Sequence, residues 1–371
     1  MRGVNKLDTA EILIERMESF IDNNVTTSKF KDILQVYYIN DPTPVTDEQM
    51  ETLDRPPVLY ITKPKLSKAS NSIYLFLTSV FGIASMSVFS LYPFALNTDI
   101  ANRVEQELTL STNPDLSFLT DLSFPIFASF LGLQLFHEVG HWLVARGYNI
   151  TITPPTFIPN PILGITGTIT SFKTSPKNRQ EMLDVAVTGP LVAIALSIVT
   201  MYVGLQLTLN TDPTAYANLP KLPISFLYQS SLGAGIIESV YGSGTLNVPD
   251  LTTATMNLHP LVISGYTSLL VNALQLIPFG RTDGGRISLA LFGRTGKQLI
   301  DFIALTGLFF LGLFASDAFL FYVSFLLFLQ GEPEIPCRNE VDEVDFSRVI
   351  LSIFAGFVVL LTVIPMGASS F

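Results

Sequence analysis

Long blocks of apolar residues separated by polar loops restrict how this 371-residue chain can fold. Crossing a hydrocarbon layer of ~30 Å takes about 20 residues of helix. Four blocks have that length, near 72–96, 119–146, 182–208 and 346–367. Shorter or interrupted apolar segments lie near 224–240, 259–280, 299–315 and 317–330. The sequence therefore predicts a mainly α, polytopic membrane protein with about six to eight transmembrane helices in residues 71–371.

Composition and charge support this class and argue against others. Only 14% of the residues are charged and the mean hydropathy is +0.44, whereas soluble domains have about 25% charged residues. The net charge of −10 and the lack of a Lys/Arg stripe argue against nucleic acid as a partner and leave the lipid bilayer as the expected one. Cys337 is the single cysteine, so any metal must be bound by His and carboxylate side chains.

Residues 1–70 differ from the rest of the chain in their mixed charges. Their apolar residues predict one or two short amphipathic helices, because they follow a helical period at Ala10, Ile12, Leu13, Ile14, Met17, Phe20 and Ile21. Three prolines interrupt the stretch before the first apolar block, at Pro56, Pro57 and Pro64. We expect a small soluble N-terminal region of α or mixed structure.

Residues 150–172 have a pattern that disfavours helix. Glycines and prolines are interspersed among apolar residues, at Pro154, Pro155, Pro159, Pro161, Gly164 and Gly167. The pattern predicts a membrane-embedded β-hairpin or re-entrant segment. Because non-helical backbone at membrane depth is tolerated only where it packs on protein or lines a wet cavity, this segment should flank a functional site.

Basic residues at the ends of the apolar blocks predict the orientation in the membrane. They share one side of the bilayer, which the positive-inside rule assigns to the cytosol or stroma: Lys63, Lys65, Lys68, Arg146, Lys173, Lys177 and Arg179. His137 and His141 lie within ten residues of Arg146. We therefore expect the active site to be reached by water from the cytosolic or stromal side.

The motif His137-Glu138-Val139-Gly140-His141 carries the chemistry. Its spacing puts two imidazoles one helical turn apart on the same face, as a tetrahedral zinc site requires. Glu138 would then be the general base that takes a proton from the attacking water. The alternative is a pair of surface histidines, but these ionisable residues lie in an apolar stretch, where each costs a few kcal/mol unless compensated. A bound Zn²⁺ is the simplest compensation.

A catalytic zinc takes a third protein ligand, for which the local sequence leaves two candidates. Asp283 follows an apolar segment and precedes Gly284 and Gly285, but an Asp in this position could equally be the N-cap of a helix. His259, before Pro260, is the competing ligand. Asp283 is the better candidate, because a histidine at a loop edge more often has an ordinary role, but the residues alone do not decide between ligand and N-cap for Asp283.

Five stretches of the chain resemble the site-2 protease family of intramembrane zinc metalloproteases, most closely its plastid and cyanobacterial branch of ethylene-dependent gravitropism-deficient and yellow-green proteins. They are His137–His141, Gly167–Lys173, Asp184–Pro190, His259–Gly265 and Pro278–Arg286. The resemblance extends from about residue 70 to the C-terminus. It implies that His137, His141 and Asp283 bind zinc, that Glu138 is the base, and that 150–172 receives an extended substrate at residues such as Gly167 and Thr168.

By this resemblance, the chain should hydrolyse peptide bonds in or near transmembrane helices of membrane protein substrates, in a plastid, thylakoid or cyanobacterial membrane. The chain departs from the family pattern at Gln275, where the family usually has Asn. Asn272, about one turn earlier, is the alternative source of that amide for substrate or oxyanion contacts. A proteolytically inactive membrane scaffold or regulator and a metal or solute transporter are the rival functions.

Overall fold

The computed structural model describes residues 10–24, 35–40, 57–62, 72–251, 253–314 and 317–366. Its helices, in chain order, are α1 (Ala10–Asn24), α2 (Ser72–Ala95), α3 (Thr98–Leu110), α4 (Ser117–Gly147), α5 (Arg179–Leu209), α6 (Pro213–Tyr216), α7 (Ile224–Leu227), α8 (Ser231–Tyr241), α9 (Pro260–Gln275), α10 (Asp283–Phe314), α11 (Asp317–Phe325) and α12 (Phe346–Val363). A π-helical turn, Leu326–Gln330, follows α11. Three antiparallel strand pairs are formed by β1 (Gln35–Asn40) with β2 (Pro57–Thr62), β3 (Thr156–Asn160) with β4 (Gly164–Ile169), and β5 (Lys221–Pro223) with β6 (Thr255–Asn257).

Five helices of the described residues are long and apolar enough to cross a membrane: Ile73–Ala95 within α2, and α4, α5, α10 and α12. Four of them coincide with the four long predicted blocks. The backbone of α10 is non-helical at Gly293, which kinks this helix. The interrupted apolar segment near 224–240 forms two short helices, α7 and the 11-residue α8, and Ser230 accepts a hydrogen bond from the N–H of Gly233 at the start of α8. α9, with 16 residues, and Phe319–Gln330 are shorter apolar helices, so the total of six to eight spans stays a prediction.

α9 lies at the centre of the fold. Every residue from Val262 to Gln275 is buried, and the helix packs against α4 and α5. Glycines allow the close approach to α5: a Cβ on Gly265 would lie 2.7 Å from the backbone N of Met201, and one on Gly204 would lie 2.6 Å from the N of Val262. Small residues at helix contacts are typical of membrane packing.

The β3–β4 pair lies between α2 and α9. The hydroxyl of Ser85 on α2 donates to the carbonyl of Asn160 at 3.0 Å, and Gly82 faces Phe157 so closely that a Cβ would lie 2.4 Å from its carbonyl oxygen. The register shifts between Ile158 and Pro159. These contacts hold the pair inside the helical bundle, with β4 beside the end of α9.

The N-terminal elements contact the segment before α12. α1 occupies the predicted amphipathic region and buries Ala10 and Ile14. In β1, the N–H of Tyr38 donates to the carbonyl of Arg338 at 2.7 Å, and its carbonyl accepts from the N–H of Glu340 at 2.9 Å. Of the predicted proline-rich linker, Pro57 begins β2, whereas Pro56 and Pro64 lie outside the described residues. The division at residue 70 stays a prediction.

Candidate metal centre and active site

His137, His141 and Asp283 converge at one buried point. The Nε2 atoms of the two histidines are 2.9 Å apart. The Oδ2 atom of Asp283 is 3.4 Å from Nε2 of His137 and 3.3 Å from Nε2 of His141. The three side chains are buried, and they form the one group of three or more His, Cys, Asp or Glu within metal-binding distance among the described residues.

Asp283 is free to face the histidines because its neighbour caps the helix. α10 begins at Asp283, and the hydroxyl of Thr282 accepts a hydrogen bond from the N–H of Gly285 at 3.0 Å. Thr282 therefore has the N-cap role that the sequence left open for Asp283. The carboxylate of Asp283 instead contacts the imidazoles of α4.

His259, the competing candidate for third metal ligand, caps a helix instead. It is the N-cap of α9, and its Nδ1 accepts a hydrogen bond from the N–H of Leu261 at 3.2 Å. It belongs to none of the metal-binding groups among the described residues. The structure therefore places Asp283, and not His259, beside the two imidazoles of the motif.

Hydrogen bonds determine which nitrogen of each imidazole faces the centre. Nδ1 of His137 lies 2.6 Å from Oδ1 of Asn272, and Nδ1 of His141 lies 2.6 Å from the carbonyl oxygen of Val185. Both partners are acceptors, since the amide nitrogen of Asn272 is used in donating to Ser268. Each Nδ1 therefore carries a proton, and in the neutral imidazoles each Nε2 presents a lone pair to the centre.

This donor set fits a cation. Two imidazole nitrogens and a carboxylate oxygen meet at one point, and their lone pairs repel one another unless positive charge lies among them. A tetrahedral zinc with bonds of about 2.0–2.1 Å has ligand atoms roughly 3.3–3.4 Å apart, close to the His–Asp separations. Cys337 does not contribute: it is buried against Met182, and burial raises the pKa of its thiol well above the ordinary value.

Asn272 should raise the affinity for zinc by fixing the ring of His137. Replacing it by Leu, which has the same branched shape but is larger and apolar, removes the acceptor that fixes the ring of His137 and should weaken zinc affinity about 10- to 100-fold, the usual effect of losing such a partner. Asn272→Asp keeps an acceptor oxygen and should bind more tightly than Asn272→Leu. Competition with a chelator measures both constants. Equal affinity for Asn272→Leu and the unaltered chain would show that this contact does not orient the ligand.

Glycines let α5 pass directly beneath the imidazoles. A Cβ on Gly189 would lie 2.6 Å from Nε2 of His141 and 2.8 Å from the carbonyl oxygen of His137. On the other side of the contact, a Cβ on Gly140 would lie 3.0 Å from Cα of Gly189. The close contact between α4 and α5 beside the imidazoles therefore depends on Gly140 and Gly189.

Gly189→Ala is expected to displace the imidazoles of the centre although it replaces none of the proposed metal-binding residues. The added methyl must displace His141 or the backbone of α4, so we expect a loss of stability of about 1–3 kcal/mol and a lower zinc content. Gly132→Ala on α4 is the matched control, since no atom lies within 4 Å of its Cβ position. Thermal unfolding and metal analysis of both variants test this. Unchanged zinc content and melting temperature in Gly189→Ala would contradict the close packing.

Glu138 lies beside the imidazole of His137 with one carboxylate oxygen unengaged. Its Oε2 accepts a hydrogen bond from the hydroxyl of Thr170 at 2.7 Å. Its Oε1 has no hydrogen-bond partner and lies 3.9 Å from Nε2 of His137. The carboxylate is thus oriented by Thr170 and keeps an oxygen free to accept a proton.

Arg286 links Asp283 to the segment that follows β4. Its Nη1 lies 3.4 Å from Oδ1 of Asp283, its Nη2 donates to the carbonyl of Thr170 at 2.6 Å, and its Nε donates to Oε2 of Glu334 at 2.6 Å. The guanidinium is buried, so these partners balance its charge. Thr170 therefore links the predicted base to the residues that hold Asp283.

Gln275 pairs with the strand that the sequence predicted to receive substrate. In the orientation that satisfies its amide, its nitrogen donates to the carbonyl of Thr168 at 3.0 Å and its oxygen accepts from the N–H of Thr168 at 2.9 Å. A Cβ on Gly167 would lie 2.7 Å from Cδ of Gln275. Gln275 and Thr168 line the cavity beside the ligands, whereas Asn272 is committed to His137.

Sequence reasoning did not single out several residues of the site. Thr170 and Arg286 lie inside stretches that carry the family resemblance, which was the available signal. Val185 also lies in such a stretch, Asp184–Pro190, but it contacts His141 through its backbone carbonyl. Glu334 has no local pattern that marks it, because its role depends on a contact across the fold.

Comparison with known proteins identifies the chain. The model of Peptidase family M50 matches residues 125–315, about half of the chain, and this region includes both histidines, Glu138 and Asp283. The chain belongs to peptidase family M50. The match confirms the resemblance to site-2 proteases.

The M50 chain has curated relatives named for plastids. "Probable zinc metalloprotease EGY1, chloroplastic" of Oryza sativa subsp. japonica is 35% identical over 300 residues, covering 80% of this chain and 50% of the relative. The protein of that name from Arabidopsis thaliana is 37% identical over 258 residues, covering 68% and 45%. "Probable zinc metalloprotease EGY2, chloroplastic" of Oryza sativa subsp. indica is 27% identical over 345 residues, covering 92% and 58%.

These relatives confirm the plastid branch of the resemblance. The M50 chain spans about half the length of the curated relatives it matches first. No solved structure gives a significant match.

Proposed function

We propose that this M50 chain is a zinc metalloendopeptidase that hydrolyses peptide bonds in or near transmembrane helices of membrane protein substrates. One observation carries the proposal. Three acceptor atoms from α4 and α10 converge beside a carboxylate oxygen without a hydrogen-bond partner, and the described part of the chain has five helices that could span a membrane. His137, His141 and Asp283 are the proposed ligands.

Each residue of the centre has a role in this reaction. A zinc ion held there supplies a Lewis acid that polarises a peptide carbonyl and lowers the pKa of the attacking water. Glu138 takes a proton from that water through Oε1 and passes it to the leaving amine. The hydroxyl of Thr170 holds Oε2 during both transfers, and Arg286 keeps Asp283 in position.

The substrate must be extended when it reaches these groups. A helix sequesters its carbonyls in its own hydrogen bonds, so the segment to be cut has to unwind. We propose that it lies along Gly167 and Thr168, where Gln275 exchanges its contact with Thr168 for one with the substrate backbone. The β3–β4 pair would lie at membrane depth, packed on protein.

The membrane that contains the protein is proposed from its relatives and its apolar helices. Relatives carrying "chloroplastic" in their names and the apolar helices support a plastid, thylakoid or cyanobacterial membrane with about six to eight spans. The basic residues near the centre support an active site reached from the stromal or cytosolic side.

The rival functions predict different behaviour of Glu138. A scaffold that uses zinc only structurally has no use for an unligated carboxylate beside the metal. A transporter has polar residues along a permeation path, whereas the ionisable groups here surround one point. Metal flux into liposomes that persists in a Glu138→Gln variant would favour transport over proteolysis.

Cleavage of model substrates tests the proposal. The zinc-loaded chain in liposomes should cut a single-span substrate with Gly and Pro near its middle faster than a Leu-rich one, because the first unwinds at lower cost. Product analysis by mass spectrometry gives the two rates and the cut position. Failure to cut either substrate would overturn the proposed function, and equal rates would overturn the requirement for unwinding.

A further inference from the structure

Three carboxamide side chains surround the cavity or its ligands, and two of them are already engaged. Asn272 accepts from His137 and donates to Ser268. Gln275 pairs with both backbone groups of Thr168. The third is Gln330, which lines the cavity together with the proposed ligands and base.

Gln330 differs from the other two in having an unsatisfied atom. Its side chain is 2% exposed, and its Oε1 is buried without a hydrogen-bond partner. A buried acceptor without a partner costs free energy, so such atoms in folded proteins call for an explanation. Because the residue that carries this oxygen lines the cavity of the proposed active site, a group that enters with the substrate can satisfy it once the side-chain amide turns toward the cavity.

The backbone of Gln330 is fixed against the loop that leads to Asp283. Its carbonyl accepts a hydrogen bond from the N–H of Arg281 at 3.1 Å. Gly280 has φ +52°, and a Cβ there would lie 1.9 Å from the carbonyl oxygen of Gln330, so only glycine fits. Gln330 also ends a π-helical turn, a local irregularity that often occurs at functional sites.

Resting on the proposed function, we propose that Gln330 binds the peptide backbone of the substrate, with Oε1 accepting a hydrogen bond from a substrate N–H near the cut bond. An extended peptide supplies such donors at regular intervals. Gln275 has to break its bonds to Thr168 before it can bind substrate, which makes its net gain small. Gln330 breaks no bond through Oε1, so it contributes more to affinity.

Binding and turnover of a Gln330→Met variant test the role. Met has similar length and volume and removes the acceptor. The full chain in nanodiscs should show a KM, and in a Glu138→Gln background a peptide Kd, raised about tenfold, the effect of one well-made hydrogen bond. Phe328→Leu on the same turn is the control, because Phe328 is 86% exposed. Its constants should match those of the unaltered chain.

A set of synthetic peptides identifies the partner of Oε1. Each peptide has one amide around the cut bond replaced by an ester, which removes a single N–H. At one position the ester should weaken binding to the Gln330 protein about tenfold and leave binding to Gln330→Met unchanged.

The outcomes separate this inference from the proposed function. If the unaltered chain cuts its substrate but Gln330→Met keeps KM and Kd within twofold, the inference fails and the function stands. Loss of zinc or of thermal stability in Gln330→Met, without an ester position coupled to Gln330, would assign a structural role and also overturn it. If the unaltered chain cuts no substrate, the proposed function itself is contradicted.

Discussion

Replacing Glu138 by Gln should lower kcat for peptide hydrolysis by about 10²- to 10⁴-fold, the usual contribution of a general base. Gln has nearly the same shape but cannot take a proton from the attacking water. Because neither oxygen of Glu138 belongs to the three-atom ligand group, the variant should still bind one zinc ion. The amide oxygen can also keep the hydrogen bond from Thr170. Rates in liposomes and elemental analysis of zinc measure both quantities.

Glu105→Gln is the matched control, since Glu105 is exposed on α3. It should retain full activity and full zinc content. Cleavage by Glu138→Gln at the rate of the control would remove Glu138 from the reaction, and loss of zinc in that variant would make it a ligand instead.

Asp283→Ala should remove the metal and with it the activity. Oδ2 of Asp283 is the one carboxylate oxygen that faces both imidazoles, at 3.4 and 3.3 Å. Losing a direct ligand should cost more than losing an outer partner, so we expect zinc affinity to fall by more than about 100-fold. The variant also leaves the buried guanidinium of Arg286 with Glu334 as its remaining carboxylate. Chelator competition and the cleavage assay measure the two effects.

Asp212→Ala, in an exposed position before α6, is the control for removing one carboxylate. It should bind zinc and cut substrate as the unaltered chain does. If Asp283→Ala kept its affinity within a few-fold, the third ligand would have to come from elsewhere.

Much of the site could be predicted because its signals are local. The spacing of His137 and His141 puts both rings on one face of α4, and periodicity alone establishes that. The long apolar blocks correspond to helices for the same reason. The stretch 150–172 contains two strands because its prolines and glycines prevent helix.

What could not be predicted depends on contacts between distant residues. Whether Asp283 caps a helix or faces the histidines is decided by the hydroxyl of Thr282, since either residue suits an N-cap. Gln275 has Thr168 as its partner, across more than 100 residues of chain. The apolar segment near 224–240 could not be distinguished from a span, because its break at Ser230 depends on one side-chain hydrogen bond.

The position of the N-terminal region on the rest of the protein also could not be predicted from local sequence. Its amphipathic helix can be predicted from periodicity. Its contact with the rest of the protein cannot, because it consists of backbone hydrogen bonds between Tyr38 and the segment that contains Arg338 and Glu340. Backbone pairing of this kind leaves no trace in residue types. The same segment carries Glu334, which pairs with Arg286 beside the centre.

X-ray absorption spectroscopy of the purified, membrane-reconstituted chain tests most directly that His137, His141 and Asp283 bind one zinc ion. The predicted spectrum has two imidazole nitrogens and carboxylate or water oxygens at about 2.0–2.2 Å, without sulfur, and Asp283→Ala alters or abolishes it. A spectrum with sulfur at about 2.3 Å, or one unchanged by Asp283→Ala, would contradict the proposed centre.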